Sequence, residues 1–332
     1  MKEASYYNLL ENKKIQCKLC PHSCVIEENE VGKCRVRKNI KGKLYSLTYE
    51  VISSIALDPI EKKPLYHFYP GSLILSIGSF GCNFKCGFCQ NWEISQVGLE
   101  NYYVQKITSE ELLLIAKQHK NNIGISYTYN EPLINFEFVL NTAKIFHEEN
   151  YKNVLVTNGY INKEPLMEIL PYIDAANIDL KSFDDNFYKE VCGAKLNFVL
   201  QTIETFLKYN KHIELTTLVI PQKNDSIDEI EKIVNYVATL SEDIPLHFSR
   251  YFPNYKFSIP ATPVSNLVKI YEIAKRKLKY VYLGNILDEK YNSTFCPKCK
   301  KTLIVRIGYS VEITGIEDGK CKYCKENLKI KI

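Results

Sequence analysis

Leu73-Ile-Leu-Ser-Ile-Gly-Ser-Phe-Gly-Cys-Asn-Phe-Lys-Cys-Gly-Phe-Cys-Gln-Asn91 joins an apolar run to a cluster of thiols. The apolar run predicts a strand over 73–79. Cys82, Cys86 and Cys89 follow in CxxxCxxC spacing, on the loop that leaves that strand. A closed structural metal site takes four protein ligands, whereas three thiolates from one loop leave a coordination position free. α/β barrels hold their reactive groups at the carboxyl ends of their strands, which is where these sulfurs fall.

Outward from this loop, short β-rich runs alternate with longer amphipathic stretches. Strands are predicted over 73–79, 123–129, 153–158, 176–181, 213–220, 246–251 and 280–286. Helices are predicted over 109–119, 133–148, 197–209, 226–239 and 264–275, with Ser109 and Ser226 as N-caps. Such alternation implies a parallel sheet with right-handed crossovers. Six to seven βα units are too few to close an eight-stranded barrel, so the expected fold class is α/β, an open, partial TIM-type barrel. No Gly-x-Gly-x-x-Gly run follows any of the strands, which disfavours a dinucleotide-binding fold.

Polar residues stand at the predicted strand ends, where a parallel barrel aims them at one cavity: Asn130 and Glu131, Asn158, Asp179 and Lys181, His247 and Arg250, and Gly284-Asn285. Asp179 and Lys181 are two apart and share a face. They either contact a ligand or pair with each other in the barrel mouth. His247 reads equally as a cofactor contact or a core histidine. Thr216 and Thr217 could bind a ribose or merely fill a strand. Cys192 reads as a buried free thiol.

The chain has 332 residues, twelve of them cysteine, with 24% charged residues and a net charge of +5. That is ordinary globular composition, without the basic stripe expected of a nucleic-acid binder. The N-terminus has no signal-peptide core and no run is long enough to span a bilayer, so a cytoplasmic protein is expected. In a reducing compartment twelve cysteines argue for metal ligation over disulfides. Cys296, Cys299, Cys321 and Cys324 form two CxxC knuckles, read as a zinc ribbon or a rubredoxin-like iron site. Cys17, Cys20, Cys24 and Cys34 form a second quartet, for zinc or an auxiliary 4Fe-4S cluster, with His22 inside its loop. The expected organisation is an N-terminal four-cysteine module (1–70), the barrel (71–290) and a zinc-ribbon-like module (291–332).

The CxxxCxxC loop with aromatic Phe88 before the last cysteine resembles the signature of radical SAM enzymes. Together with Tyr127–Pro132, Asp179–Lys181, His247–Arg250, the Asp58–Gly71 run and both quartets, the chain looks like the AmmeMemoRadiSam-system subgroup, often labelled pyruvate formate-lyase activating enzyme-like. The resemblance implies a 4Fe-4S cluster on Cys82, Cys86 and Cys89, with S-adenosylmethionine (SAM) chelating the open iron. It implies reductive cleavage of SAM to a 5′-deoxyadenosyl radical for hydrogen abstraction, with glycyl-radical activation of a partner protein as one outcome. Asn130 and Glu131 match the motif that holds the SAM amino group, although both of its glycines are replaced. Asp179 and Lys181 match an element contacting SAM or substrate, and His247 a contact to the SAM carboxylate; Gly284-Asn285, ending the last strand, could hold adenine by close backbone approach. A reduced flavodoxin or ferredoxin-type donor is also implied. Two other classes stay open: a zinc-binding interaction protein with eleven structural cysteines, and an iron–sulfur electron carrier without SAM chemistry. Metal content and SAM binding separate them.

Overall fold

The computed structural model describes residues 1–99 and 104–332. Eight strands form its central sheet: β1 (Ser54–Pro59), β2 (Leu73–Gly78), β3 (Asn122–Tyr127), β4 (Lys152–Thr157), β5 (Ala175–Asp179), β6 (His212–Val219), β7 (Leu246–Arg250) and β8 (Val281–Gly284). They lie side by side in chain order. From β2 to β8 every neighbour is parallel, whereas β1 runs antiparallel along β2. Among the described residues β1 and β8 do not pair, so the barrel is open, as expected. The antiparallel edge strand was not anticipated.

The crossovers carry α1 (Ser109–Lys117), α2 (Phe136–Glu148), α3 (Lys163–Ile169), α4 (Leu196–Lys208), α5 (Ile227–Leu240) and α6 (Val264–Lys275). Their apolar stripes, such as Val199, Ile203 and Phe206 on α4 and Ile230, Ile233 and Val237 on α5, are buried against the sheet. Ser226 caps α5, accepting from Glu229 N–H at 3.2 Å. Ser109 does not cap α1. Thr108 does so through a reciprocal capping box with Glu111, and Ser109 Oγ lies inside, 2.8 Å from Thr142 Oγ1.

The segment between β1 and β2 fills the lower barrel. Ile60, Leu65 and Phe68 pack with Ile74, Val154 and Ala175. His67 N–H donates to Glu214 Oε1 at 2.7 Å, and Asn177 Nδ2 donates to the Pro64 carbonyl at 2.8 Å. The N-terminal region builds two three-stranded antiparallel sheets. A C-terminal three-stranded sheet packs against the barrel, anchored by fully buried Arg306. That guanidinium donates to the Tyr66 carbonyl (2.6 Å) and Thr294 Oγ1 (2.8 Å), and Glu61 lies 3.4 Å away.

Candidate functional site

Strand alternation sends every second side chain inward, and the upper inward positions surround a cavity of about 630 Å3 at the carboxyl end of the sheet. Cys82, Cys86 and Cys89 line it together with Phe88, Asn130, Glu131, Asn158, Asp179, Lys181 and Asn285. The cysteine loop is held from several sides. Asn130 accepts from Ser79 N–H (3.0 Å) and donates to the Gly81 carbonyl (2.9 Å). Asn158 Nδ2 reaches Asn83 Oδ1 at 2.9 Å and lies 3.8 Å from Cys82 Sγ. Lys256 N–H donates to the Gly87 carbonyl at 2.9 Å. Phe257 lies over Gly87 so closely that an added Cβ there would stand 2.6 Å from its ring. Asn130 and Asn158 therefore shape the loop as well as lining the cavity.

Burial pushes the Cys82 and Cys89 thiols above their ordinary values. The neighbouring Cys192 thiol, hydrogen-bonded to Cys86, followed by burial, does the same for Cys86. Cys192 is thus a buried thiol packed behind the loop. Thiols in this condition stay protonated unless a cationic centre binds them, a state that suits a metal-ligating site. Glu131 is 2% exposed, and burial raises its carboxyl to about 7. It accepts from Asn158 N–H and Thr157 Oγ1–H at 2.8 Å each and from Leu133 N–H at 3.0 Å. Lys181 Nζ lies 2.8 Å from Asp179 Oδ2 and 5.8 Å from the Phe88 ring centre. The ion pair considered for this couple exists, and both members still face the cavity.

Thr216 lines the cavity, and its buried hydroxyl has no hydrogen-bond partner among the described residues. A buried orphan hydroxyl facing a cavity is what a missing polar ligand leaves behind. Thr217 points away and donates to the Leu180 carbonyl at 2.7 Å.

Of the two readings left open for His247, its contacts in the structure are those of a core histidine. It shares the inward face of β7 with cavity-lining Ser249 but stands one pleat repeat lower, outside the lining. Its Nε2 lies 2.7 Å from Glu214 Oε2, and its ring packs against Tyr66 and Tyr282. Glu214, fully buried, also meets His212 Nε2 at 3.1 Å. Arg250 is engaged with the Thr262 carbonyl at 2.8 Å.

Sequence reasoning overlooked Lys62, Lys63, Tyr129 and Tyr309, all of which line the cavity. Asp58 gathers three of them, with Lys62 at 2.8 Å, Lys63 at 2.6 Å and Tyr129 Oη at 2.5 Å. Burial would raise the Asp58 carboxyl, but these partners hold it well below its ordinary value. The Lys62-Lys63 pair in the Asp58–Gly71 run was the available signal. Tyr309 comes from the C-terminal region and had none.

The two cysteine quartets differ in spacing. Cys296 and Cys324 sulfurs are 3.5 Å apart, Cys299 and Cys321 are 3.7 Å apart, and all four lie within 4.8 Å of one another. Four sulfurs at about 2.3 Å from one tetrahedral ion stand roughly 3.8 Å apart, so this quartet fits a single zinc or iron. Among the described residues no other quartet is so tight. Cys17, Cys20, Cys24 and Cys34 stand near one another but more openly, and burial raises Cys17, Cys20 and Cys34, the last to about 11.

No helix among the described residues is long and apolar enough to cross a membrane. The sequence profile described as the Radical SAM superfamily matches residues 76–237. An uncharacterized protein of Methanocaldococcus jannaschii is 43% identical over 335 aligned positions, covering 99% of both chains. A second protein of that organism, provisionally named a glycyl-radical enzyme activating enzyme, is 28% identical over 69% of this chain and 86% of its own. Among solved structures, SuiB of Streptococcus suis bound to S-adenosylmethionine superposes with a TM-score of 0.50 at 17% identity, over 66% of this chain and 50% of that one; at that identity the likeness concerns the fold. The matched region begins within β2, takes in the three-cysteine loop and runs to α5, and with the open parallel barrel it shows that this chain belongs to the Radical SAM superfamily.

Proposed function

We propose that Cys82, Cys86 and Cys89 hold a 4Fe-4S cluster and that the chain is a radical SAM enzyme acting by hydrogen abstraction. The observation that carries this reading is three thiols from one loop, Cys86 buried and Cys82 and Cys89 half-buried, facing the same cavity as the Asp179–Lys181 pair and the orphan hydroxyl of Thr216. When bound, the cluster supplies the electron that splits SAM into methionine and a 5′-deoxyadenosyl radical. The remaining roles belong to side chains. Glu131 meets the substrate ammonium with a carboxylate that a nearby cation would ionise. Thr216 donates to the ribose, and Phe88, under Lys181, walls the cluster side of the cavity. Asn285, in left-handed backbone at φ 59° and tied to the Arg250 carbonyl, shapes the far rim for adenine. His247 supports this cavity from below through Glu214.

We assign zinc to the C-terminal quartet on its single-ion spacing, and an auxiliary 4Fe-4S cluster to the wider N-terminal one. The hydrogen donor we propose is a glycine of a partner protein, a reading supported by the name of the second Methanocaldococcus jannaschii relative. Reducing conditions, and hence the cytoplasm, suit twelve unpaired cysteines.

Anaerobic reconstitution with iron and sulfide, followed by reduction with dithionite, should give 5′-deoxyadenosine from SAM. Cys86→Ala should abolish that product, while Cys296→Ala should release zinc and lower the melting temperature. A fully loaded, reduced protein that leaves SAM intact refutes the reading.

A further inference from the structure

A second cleft, of about 740 Å3, opens on the other side of the cysteine loop. Its walls are the residues that follow Cys20, the residues between Cys82 and Cys86, and the turn after Cys192. Phe84 lines this cleft and the catalytic cavity alike, so one ring separates the two. Five cationic side chains line it: Lys33, Arg35, Lys85, Lys189 and Lys195. Among the described residues, no carboxylate does. Among the described residues, Lys189 alone of the five has a carboxylate within ion-pairing distance, Asp185 at 2.9 Å. Arg35 is braced against the loop, donating to Gln96 Oε1 at 3.2 Å while Gln96 Nε2 donates to the Phe84 carbonyl at 3.1 Å, and its second terminal nitrogen is buried without a partner among the described residues.

We propose that this cleft is the docking surface for a small acidic ferredoxin-type protein that delivers the electron. The proposal rests on the radical SAM reading, whose chemistry consumes one external electron per cleaved sulfonium. One electron leaves the reduced ferredoxin, which is oxidised by one unit, and arrives at the three-cysteine site behind Phe84; no atom is transferred. Charge complementarity selects the partner, because a wall of five cations, with no anion among its described lining residues, attracts a carboxylate-rich face and orients it. Phe84 and Tyr160 in the cleft are 2% and 3% exposed, and its third ring, the His22 imidazole, is polar, so little flat apolar surface is offered to a flavin edge. Two separate openings also let reductant and substrate approach the same loop without competing.

The test uses the reconstituted full chain and an acidic two-cluster ferredoxin. Titration calorimetry with oxidised ferredoxin reads docking without turnover, and SAM cleavage driven by reduced ferredoxin reads delivery. Lys33→Glu with Lys195→Glu, both exposed, should weaken binding and raise the KM for ferredoxin at least about tenfold. The salt dependence of both should shrink. Iron content, melting temperature and dithionite-driven cleavage should stay as in the wild type. Lys120→Glu, an exposed lysine outside the cleft, is the charge-matched control and should change nothing. Wild-type affinity in the double variant overturns the proposal, as does a flavodoxin binding there in preference to ferredoxin. Loss of dithionite-driven cleavage in the wild type would instead defeat the radical reading, and the calorimetry would still decide the docking surface.

Discussion

Arg37 is 1% exposed and grips Glu137 with two parallel contacts, NH1 to Oε2 and NH2 to Oε1, both 2.9 Å. The same guanidinium donates to the Ser5 carbonyl at 2.9 Å and the Ile134 carbonyl at 3.2 Å, joining the N-terminal region to α2. Burial alone would ease its deprotonation, yet the facing Glu137 carboxylate raises its pKa above the ordinary value. Arg37→Met keeps most of the volume but strands the Glu137 charge in the interior. Removing one partner of a buried pair costs about 3–5 kcal/mol. At the low end of roughly 2–4 °C per kcal/mol for large chains, the melting temperature should fall by about 6–10 °C. Calorimetric or circular-dichroism melts of the zinc- and iron-loaded protein read the shift. Adding Glu137→Leu removes the stranded charge and should recover most of the loss, because an apolar pair can replace a buried ionic one. A single variant melting within about 2 °C of wild type, less than 1 kcal/mol in a protein of this size, would refute the reasoning. So would a double variant no better than the single.

Acid should weaken the fold through the network under the cavity. Burial holds His67 at about 3, below its ordinary 6.5, while for Glu214 the hydrogen bonds of His212 and His247 outweigh burial and keep the carboxyl well below 4.5. Both groups have depressed native pKa values, so their contribution is complete above the ordinary values and is lost as pH falls below 6.5 for His67 and below 4.5 for Glu214. Urea midpoints should therefore drop from pH 7 to pH 5 more in wild type than in His67→Asn; equal slopes would contradict this. Gly81→Ala should damage the junction between the N-terminal quartet and the cysteine loop. Gly81 has φ +81°, and an added Cβ would stand 2.4 Å from the Cys34 carbonyl oxygen. A loss of about 1–3 kcal/mol and slower iron uptake are expected, and wild-type behaviour in both assays would refute the packing argument.

Seven of the eight sheet strands were legible because each is a compact apolar run between polar stretches. β1 was not, because Ser54-Ile-Ala-Leu-Asp-Pro59 mixes polar residues and ends in proline, as an edge strand can. The cap of α1 was misplaced by one residue, since Thr108 and Ser109 are both good caps and only the capping box tells them apart. The two readings of His247 stayed open for a more general reason. A period of two assigns a residue to the inner face of a strand but says nothing of its depth, and inside a barrel depth separates a ligand contact from a core ion pair. Lys62, Lys63 and Tyr309 reach the cavity from outside the repeating units, so the alternation of strands and helices does not point to them.

The protein has a single tryptophan, Trp92, three residues beyond Cys89. It lies 36% exposed and stacks on Tyr255 at 5.0 Å with 12° between the planes. Nature has thereby placed one intrinsic fluorophore at the lip of the thiol loop. Any chromophore seated there would quench its emission by energy transfer, so cofactor insertion and loss could be followed in real time, in unlabelled protein, against no background from other indoles.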